Sequence, residues 1–446
     1  MELRSVSQDN KTATNKVYTF TRSKNSKEKV HADHFQEASE IDRDKNHHLS
    51  DKEIKSYLRK KEILRDPKHA QVNERKLIKE YKLTLQNKPL PQVKEYHSYQ
   101  SLTDDMKELT QKHPDLCDMI SLGKSHEGRD IWALKVSSKK KGNGEPKNGV
   151  LITGVHHARE WISLEVPFHA AKSMLENYNS DPVMKQRVDN VETWFVPMVN
   201  PDGYEHSRIS NPWWRKNRQP ITYTACDVNK NGNIACQLGD MPAGQKGEPL
   251  GTGVDLNRNY WDGNPDHLHL YRPAGDDPCS ASWFDDQGAS DRIASDTYRG
   301  PEGGREKEVK ALIDFQLKNK NIKAAIDFHS YGRMVLYPWG ATHDDVENEN
   351  DYVKIGQRMA NVISDTDNSV KYKVMQSADL YPATGSSEDF QYVNGIMGFT
   401  LELSDSFAPD EKDIEPTCRR LLGAQMCLVD HVMENGDNMR LETPKN

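Results

Sequence analysis

The chain has 446 residues, 35% of them hydrophobic, enough to bury a large core in one big domain or a few ordinary ones. A formal net charge of −7 argues against a general nucleic-acid binder. The longest apolar runs, such as GVLITGV and AAIDF, fall far short of the roughly 20 residues that cross a bilayer.

The charge is uneven. Residues 1–92 carry 21 Lys and Arg against 14 Asp and Glu, and the remainder carries 40 against 54, so a basic leader precedes an acidic body on which it could dock. The start, MELRSVSQDNKT, has no apolar signal-peptide core, and the chain as written reads as soluble. No glycine occurs before Gly123, and runs such as DKEIKSYLRKKEIL predict a mainly helical region over 1–92. NKPLPQ, residues 87–92, closes it as a linker.

Within that region DRDKNHHLSDKE matches the twelve-residue EF-hand calcium loop. Asp42, Asp44, Asn46, the His48 carbonyl, Ser50 and Glu53 stand at the ligand places, and Leu49 is the apolar anchor. His47 replaces the usual glycine, so a left-handed turn there costs on the order of 1 kcal/mol. The competing reading is a polar helix-turn-helix.

From Tyr96 the pattern changes. The amphipathic run SLTDDMKELTQKH is followed by strand candidates DIWALKV, GVLITGV, ETWFVPMV, KAAIDF and GFTLEL, alternating with longer helical segments. That alternation predicts an α/β sheet with helices on both faces. Functional residues then belong just beyond the carboxyl ends of strands.

The spacing HxxE occurs at His34/Glu37, His157/Glu160 and His431/Glu434. Only the middle pair, in GVHHAREWIS, follows a strand-like run. KAAIDFHSYG places His329 at a second strand end, so two His and one Glu could form a zinc site with a position open to water. On this pattern alone, zinc ligands and satisfied structural histidines are equal readings.

The company of these residues decides between them. SHEGRDIWALKV, GVHHAREWIS, WWRKNR, VDLNRNYWD, KAAIDFHSYG, DLYPATGSSEDF and GFTLELSD, in this order from about Tyr96 to Met433, resemble the zinc carboxypeptidase family of the carboxypeptidase A and B type. The resemblance implies a central mixed β-sheet flanked by helices. It also implies one zinc held by His157, Glu160 and His329, with Glu402 as general base and Arg215 as oxyanion stabiliser. Asn257, Arg258 and Tyr381 fall where the family holds the substrate's terminal carboxylate, and Arg159 where it has an accessory substrate-binding arginine. His156 matches no ligand and receives no catalytic role.

The chemistry is coherent without the family name. Zinc lowers the pKa of a bound water to about 7, a carboxylate such as Glu402 takes a proton and passes it to the leaving amine, and a cation such as Arg215 stabilises the developing oxyanion. The planar fork of Arg258 suits a carboxylate and so demands a free chain end. The expected partners are peptides and proteins with a free C-terminal carboxylate, with no nucleic acid or membrane.

The resemblance places Glu388, seven residues after Tyr381, at the base of the pocket for the terminal side chain, with Gly340, Gln376 and Thr400 in its lining. A partly desolvated carboxylate there favours a cation, so C-terminal Lys or Arg is expected; mixed specificity is the alternative. A catalytically dead peptide-binding module and a cell-wall peptide amidase on the same fold are the other readings.

A second loop, DVNKNGNIA, offers Asp227, Asn229 and Asn231 as weaker calcium ligands, but Leu238 stands where the bidentate Glu belongs; an Asx-rich turn is the equal reading. Of the six cysteines, Cys226, Cys236 and Cys279 are the bridging set. Cys418 and Cys427, about 13 Å apart along a helical segment, should not pair. The expected organisation is a basic helical region at 1–92, pro-segment or accessory, a catalytic domain at 93–437 and a tail at 438–446. Family habit and the calcium-type loops imply export.

Overall fold

The computed structural model describes residues 18–22, 26–30, 95–139, 147–220, 252–271, 288–290 and 295–439. The EF-hand-like loop, the Asp227–Asn231 loop and Cys226, Cys236 and Cys279 lie outside them. In the amino-terminal region the described residues are two strands, β1 (Tyr18–Arg22) and β2 (Ser26–Val30), paired antiparallel. The sequence reading anticipated no strand there.

The body is an α/β fold around an eight-stranded mixed sheet. Its strands are β3 (Cys117–Lys124), β4 (Asp130–Val136), β5 (Asn148–Gly154), β6 (Val191–Val196), β7 (Ile322–Ser330), β8 (Met334–Tyr337), β9 (Lys373–Gln376) and β10 (Met397–Leu403). Their order is β3-β4-β6-β5-β7-β10-β8-β9. The central four, β6-β5-β7-β10, run parallel, and β3, β4 and β8 join antiparallel. β5, β7 and β10 read as nearly continuous apolar runs because both faces of a parallel sheet are covered.

The helices are α1 (Tyr99–Lys112), α2 (Ile162–Glu176), α3 (Pro182–Asn190), α4 (Pro201–Ile209), α5 (Lys307–Lys318), α6 (Glu349–Thr366), α7 (Ser387–Val393) and α8 (Ile414–Asn435). Alternation along the strands assigns them to layers. Leu151, Trp194 and Ala325 share one buried cluster with Val309, Leu312 and Phe315 of α5 and Phe390 of α7. Val150 and Ile152, buried on the opposite face, look toward α2 and α8, which pack on each other and on β5. Arg187 of α3 and Asp430 of α8 add a buried ion pair, with two hydrogen bonds of 2.8 and 3.0 Å.

Because the central strands are parallel, their carboxyl ends open on one side of the sheet, and the chemistry-bearing residues lie there. The backbone at the end of β5 is unusual. Val155 has φ 56°, a left-handed conformation that costs a β-branched residue on the order of 1–3 kcal/mol. It is held by Val155 N donating to Ser163 Oγ at 3.0 Å and by its carbonyl accepting from Asn200 N at 3.0 Å. Gly154 lies against α2 so closely that a Cβ would stand 2.0 Å from the Ser163 carbonyl oxygen. The sharp turn presents His156 and His157 to different neighbours.

Candidate active site and metal centre

His157 follows that turn, Glu160 stands two residues before α2, and His329 lies near the end of β7. All three are buried. Their donor atoms converge: His157 Nδ1 is 2.8 Å from Glu160 Oε1, His329 Nδ1 is 2.9 Å from Glu160 Oε2, and the two Nδ1 atoms are 3.0 Å apart. The set fits within 4.8 Å, and two imidazole nitrogens with a carboxylate oxygen suit zinc.

The far side of each imidazole is anchored to an acid. His157 Nε2 lies 3.1 Å from Asp255 Oδ1, and His329 Nε2 lies 3.1 Å from Asp327 Oδ2. Such outer carboxylates fix the tautomer so that the inner nitrogen keeps its lone pair for a metal. The sequence reading missed both. Asp327 was legible in principle, since residues i and i+2 of a strand share a face; Asp255 lies inside the quoted VDLNRNYWD and was passed over for its neighbours.

The electrostatics follow from crowding. Burial opposes charge on Glu160, yet the two histidines hold its carboxyl well below the ordinary range. For His157 burial prevails and Arg215 adds to it, lowering the value; for His329 Asp327 and Glu160 overcome burial and raise it. A divalent cation would substitute for the proton that the carboxylates otherwise hold on His329.

Glu402 lies on β10 directly opposite His329 in the β7–β10 register. Its Oε2 is sealed from solvent with no hydrogen-bond partner among the described residues. Burial, and next the Glu160 charge, push its carboxyl up to about 8. A cation among the histidines would pull it back down.

Arg215 is buried, with Nε and Nη2 each 2.8 Å from Asp255 Oδ2, and Nη1 faces Glu160 Oε1 at 3.9 Å. Asp255 thereby holds both Arg215 and His157. Burial works against the Asp255 charge, but Arg215 and His157 keep its carboxyl well below the usual value.

Arg258 donates from Nε to the Gly288 carbonyl and from Nη1 to the Asn257 carbonyl, both at 2.6 Å, and its Nη2 meets the Tyr381 hydroxyl at 3.4 Å. Two backbone anchors fix the guanidinium plane. Asn257 is oriented by Ser387 N, which donates to its Oδ1 at 2.9 Å. Tyr381 is 44% exposed, so its ring opens to solvent beside the anchored Arg258. Arg159 donates to the Trp213 carbonyl and to Asp296 Oδ2, both at 3.2 Å, and lies 4.4 Å over the Phe407 ring.

Glu388 is buried at the start of α7. Its Oε2 accepts from Thr400 Oγ1 at 3.0 Å, and a Cβ on Gly340 would stand 3.3 Å from Oε1. Glu388, Thr400 and Gly340 are thus close neighbours, whereas Gln376 donates to the Asp344 carbonyl at 2.6 Å. Among the described residues no cationic side chain forms an ion pair with Glu388. The adjoining Asp389 accepts from Gly340 N at 2.7 Å and Ala341 N at 2.9 Å. Burial and then Glu388 push the Asp389 carboxyl up to about 8.

Comparison with known proteins agrees with this fold. A family model described as zinc carboxypeptidase matches residues 102–423. Human carboxypeptidase A6 is 30% identical over 346 residues, covering 76% of this chain and 68% of the relative. Mouse carboxypeptidase A4 is 28% identical, covering 76% and 71%. Among solved structures, thrombin-activatable fibrinolysis inhibitor superposes with a TM-score of 0.63 at 27% identity, covering 81% of each chain. The bovine form, solved in complex with tick carboxypeptidase inhibitor, gives 0.61 at 28% identity, covering 77% of this chain and 99% of that one.

Proposed function

Since the chain belongs to the zinc carboxypeptidase family, and is therefore a metallocarboxypeptidase acting on the C-terminal peptide bond, we propose the following roles for its residues. His157, Glu160 and His329 hold the family's single zinc. When bound, zinc supplies Lewis-acid polarisation of the scissile carbonyl and acidifies water at the site.

Glu402 takes the water proton and delivers it to the departing amine. The observation that carries this assignment is its position opposite His329 with an unpartnered, sealed Oε2. Arg215, held by Asp255 through Nε and Nη2, directs Nη1 toward the ligand set, where it stabilises the oxyanion. Arg258, with Asn257 and Tyr381, grips the terminal carboxylate, and Arg159 contacts the substrate upstream. Glu388 at the pocket base selects C-terminal Lys or Arg; mixed specificity is the second reading, favoured by the extra methylene that lets Glu388 turn to Thr400.

The grip on a carboxylate rests on Arg258, whose guanidinium has lost two directions to backbone carbonyls and keeps the edge facing Tyr381. A peptide amide offers that edge no anion. Release of the last residue from a free-acid peptide is therefore expected, and loss of at least about 100-fold in kcat/KM for the matching C-terminal amide, equivalent to about 3 kcal/mol of charged hydrogen bonding. A chelator should abolish turnover and added zinc restore it. Equal hydrolysis of acid and amide would move the reading to an amidase, and chelator-resistant turnover would remove the metal from it.

We assign the catalytic domain to 93–437 and the tail to 438–446. Residues 1–92 serve as a removable pro-segment or as a calcium-binding accessory through Asp42–Glu53. The segment 95–99 is well anchored to the domain: Tyr96 hydroxyl donates to the Pro409 carbonyl at 2.7 Å, and His97 N to Glu165 Oε1 at 2.8 Å. Export is part of the same proposal. Among the described residues no helix is long and apolar enough to cross a membrane.

A further inference from the structure

Resting on the oxyanion role given to Arg215, we propose that Asn217 is a positioning residue for that arginine. Its side-chain amide clamps the Arg215 segment to the Asp255 segment and to the head of α5, and so sets where the guanidinium points. The sequence reading gave Asn217 no role.

Asn217 is fully buried. Its backbone N donates to the Val254 carbonyl at 3.0 Å, and Val254 N donates back to Asn217 Oδ1 at 2.8 Å. In a regular antiparallel pair the second bond would go to the backbone carbonyl of residue 217. That carbonyl instead accepts from Trp214 Nε1 at 3.2 Å, and Gly253 packs against it so closely that a Cβ would stand 2.3 Å away. A side chain has taken a main-chain place. Val254 is itself fully buried, so its N–H depends on that oxygen, and a buried donor left unmatched is costly.

The other end of the amide is directed as well. Oδ1 accepts from Val254 N and, at 3.3 Å, from Gln219 N, which makes Nδ2 the donor. It donates to Glu306 Oε2 at 2.7 Å and to Glu308 Oε2 at 3.1 Å. Glu306 caps α5 and Glu308 lies in its first turn. Both acids are buried and both face His126 Nε2, at 3.2 and 3.7 Å. One amide thus ties three segments together.

Arg215 stands two residues before Asn217, and Asp255 follows Val254. The contacts of Arg215 Nε and Nη2 with Asp255 Oδ2 fix the two side chains to each other. The clamp fixes the backbone from which both reach toward the ligand set. An oxyanion donor works over about 2.7–3.1 Å, so a small shift of the Arg215 backbone takes it out of range.

The test is a double-mutant cycle on the full-length chain, reading kcat and KM for a free-acid peptide, with zinc content and melting temperature of each variant. Asn217→Asp keeps the acceptor for Val254 N but turns a third carboxylate toward Glu306 and Glu308; Asn217→Leu loses acceptor and donor together. Each should lower kcat about 10- to 100-fold with zinc retained. KM should change little, because Asn257 and Arg258 have their own anchors on Ser387 and Gly288. In an Arg215→Ala background the same substitutions should cost less than about 2-fold, since no guanidinium is left to direct. Asn217→Ser, smaller and still polar, supplies the cycle if the larger replacements do not fold. An equal loss of kcat in both backgrounds overturns the proposal, since a merely structural Asn217 would act whether or not Arg215 is present. Wild-type kcat in the single variants overturns it too. An Arg215→Ala enzyme with wild-type kcat overturns the oxyanion reading instead.

Discussion

Glu402→Gln is expected to lower kcat by about 10²- to 10⁴-fold with one zinc still bound and KM little changed. Gln keeps the shape of the side chain but cannot take a proton. Glu402 is not part of the His157, Glu160 and His329 donor set proposed to hold zinc, so zinc content separates loss of a base from loss of a site. The wild-type pH profile offers a second reading of the same group. Burial and Glu160 raise the carboxyl to about 8, and a bound cation draws it back toward the ordinary value of about 4.3. A base works only when deprotonated, so kcat/KM should fall as pH drops through a value between those two limits. A Glu402→Gln enzyme with near-wild-type kcat would remove Glu402 from the mechanism, and a variant that loses zinc would recast it as a site-building residue.

The sheet was legible where it is buried on both faces. KAAIDF and GFTLEL lie within β7 and β10, where the buried apolar positions of a parallel sheet centre leave little other choice, and DIWALKV coincides with β4, an antiparallel strand whose burial alternates over much of its length. β3, β8 and β9 went unread. β3 is an edge strand with most residues partly or fully exposed, and β8 and β9 are four residues each, too short for periodicity to register.

The same division holds in the site. The residues proposed to carry chemistry sit in local motifs, so His157, Glu160, His329 and Glu402 could be named from their stretches. Residues that orient them are joined over long separations: Asp255 lies 98 positions from His157, and Ser387 lies 130 from Asn257. No local pattern announces such a pairing. Asp327 and His329 stand two apart on β7 and so share a face, and the parallel register then sets Glu402 of β10 beside His329.

Glu388→Leu should invert the terminal-residue preference, and the inversion is large because, among the described residues, no cation pairs with that carboxylate. Wild type is expected to release C-terminal Lys and Arg in preference to Phe and Leu. Glu388 accepts a hydrogen bond from Thr400, and Gly340 leaves its Oε1 uncrowded where any Cβ would stand 3.3 Å away. A substrate cation can pair with that oxygen, whereas an apolar side chain would bury it unmatched. Deleting one partner of a buried pair costs about 3–5 kcal/mol, and an apolar wall returns about 1–3 kcal/mol to Phe or Leu. The ratio of kcat/KM for Lys over Leu peptides should therefore swing by at least about 1000-fold, at 1.36 kcal/mol per decade. Thr400→Val should act more gently, loosening Glu388 without removing its charge, and so lower Lys release less than Glu388→Leu does. The competing geometry is a Glu388 folded fully against Thr400, with room above it for an apolar side chain. In that case wild type would release Phe and Leu as readily as Lys, and Glu388→Leu would leave the ratio where it was. Such a result would refute charge selection at Glu388 and leave the roles proposed for Glu402, His157, Glu160 and His329 untouched, because terminal side-chain selection and bond cleavage are assigned to different residues.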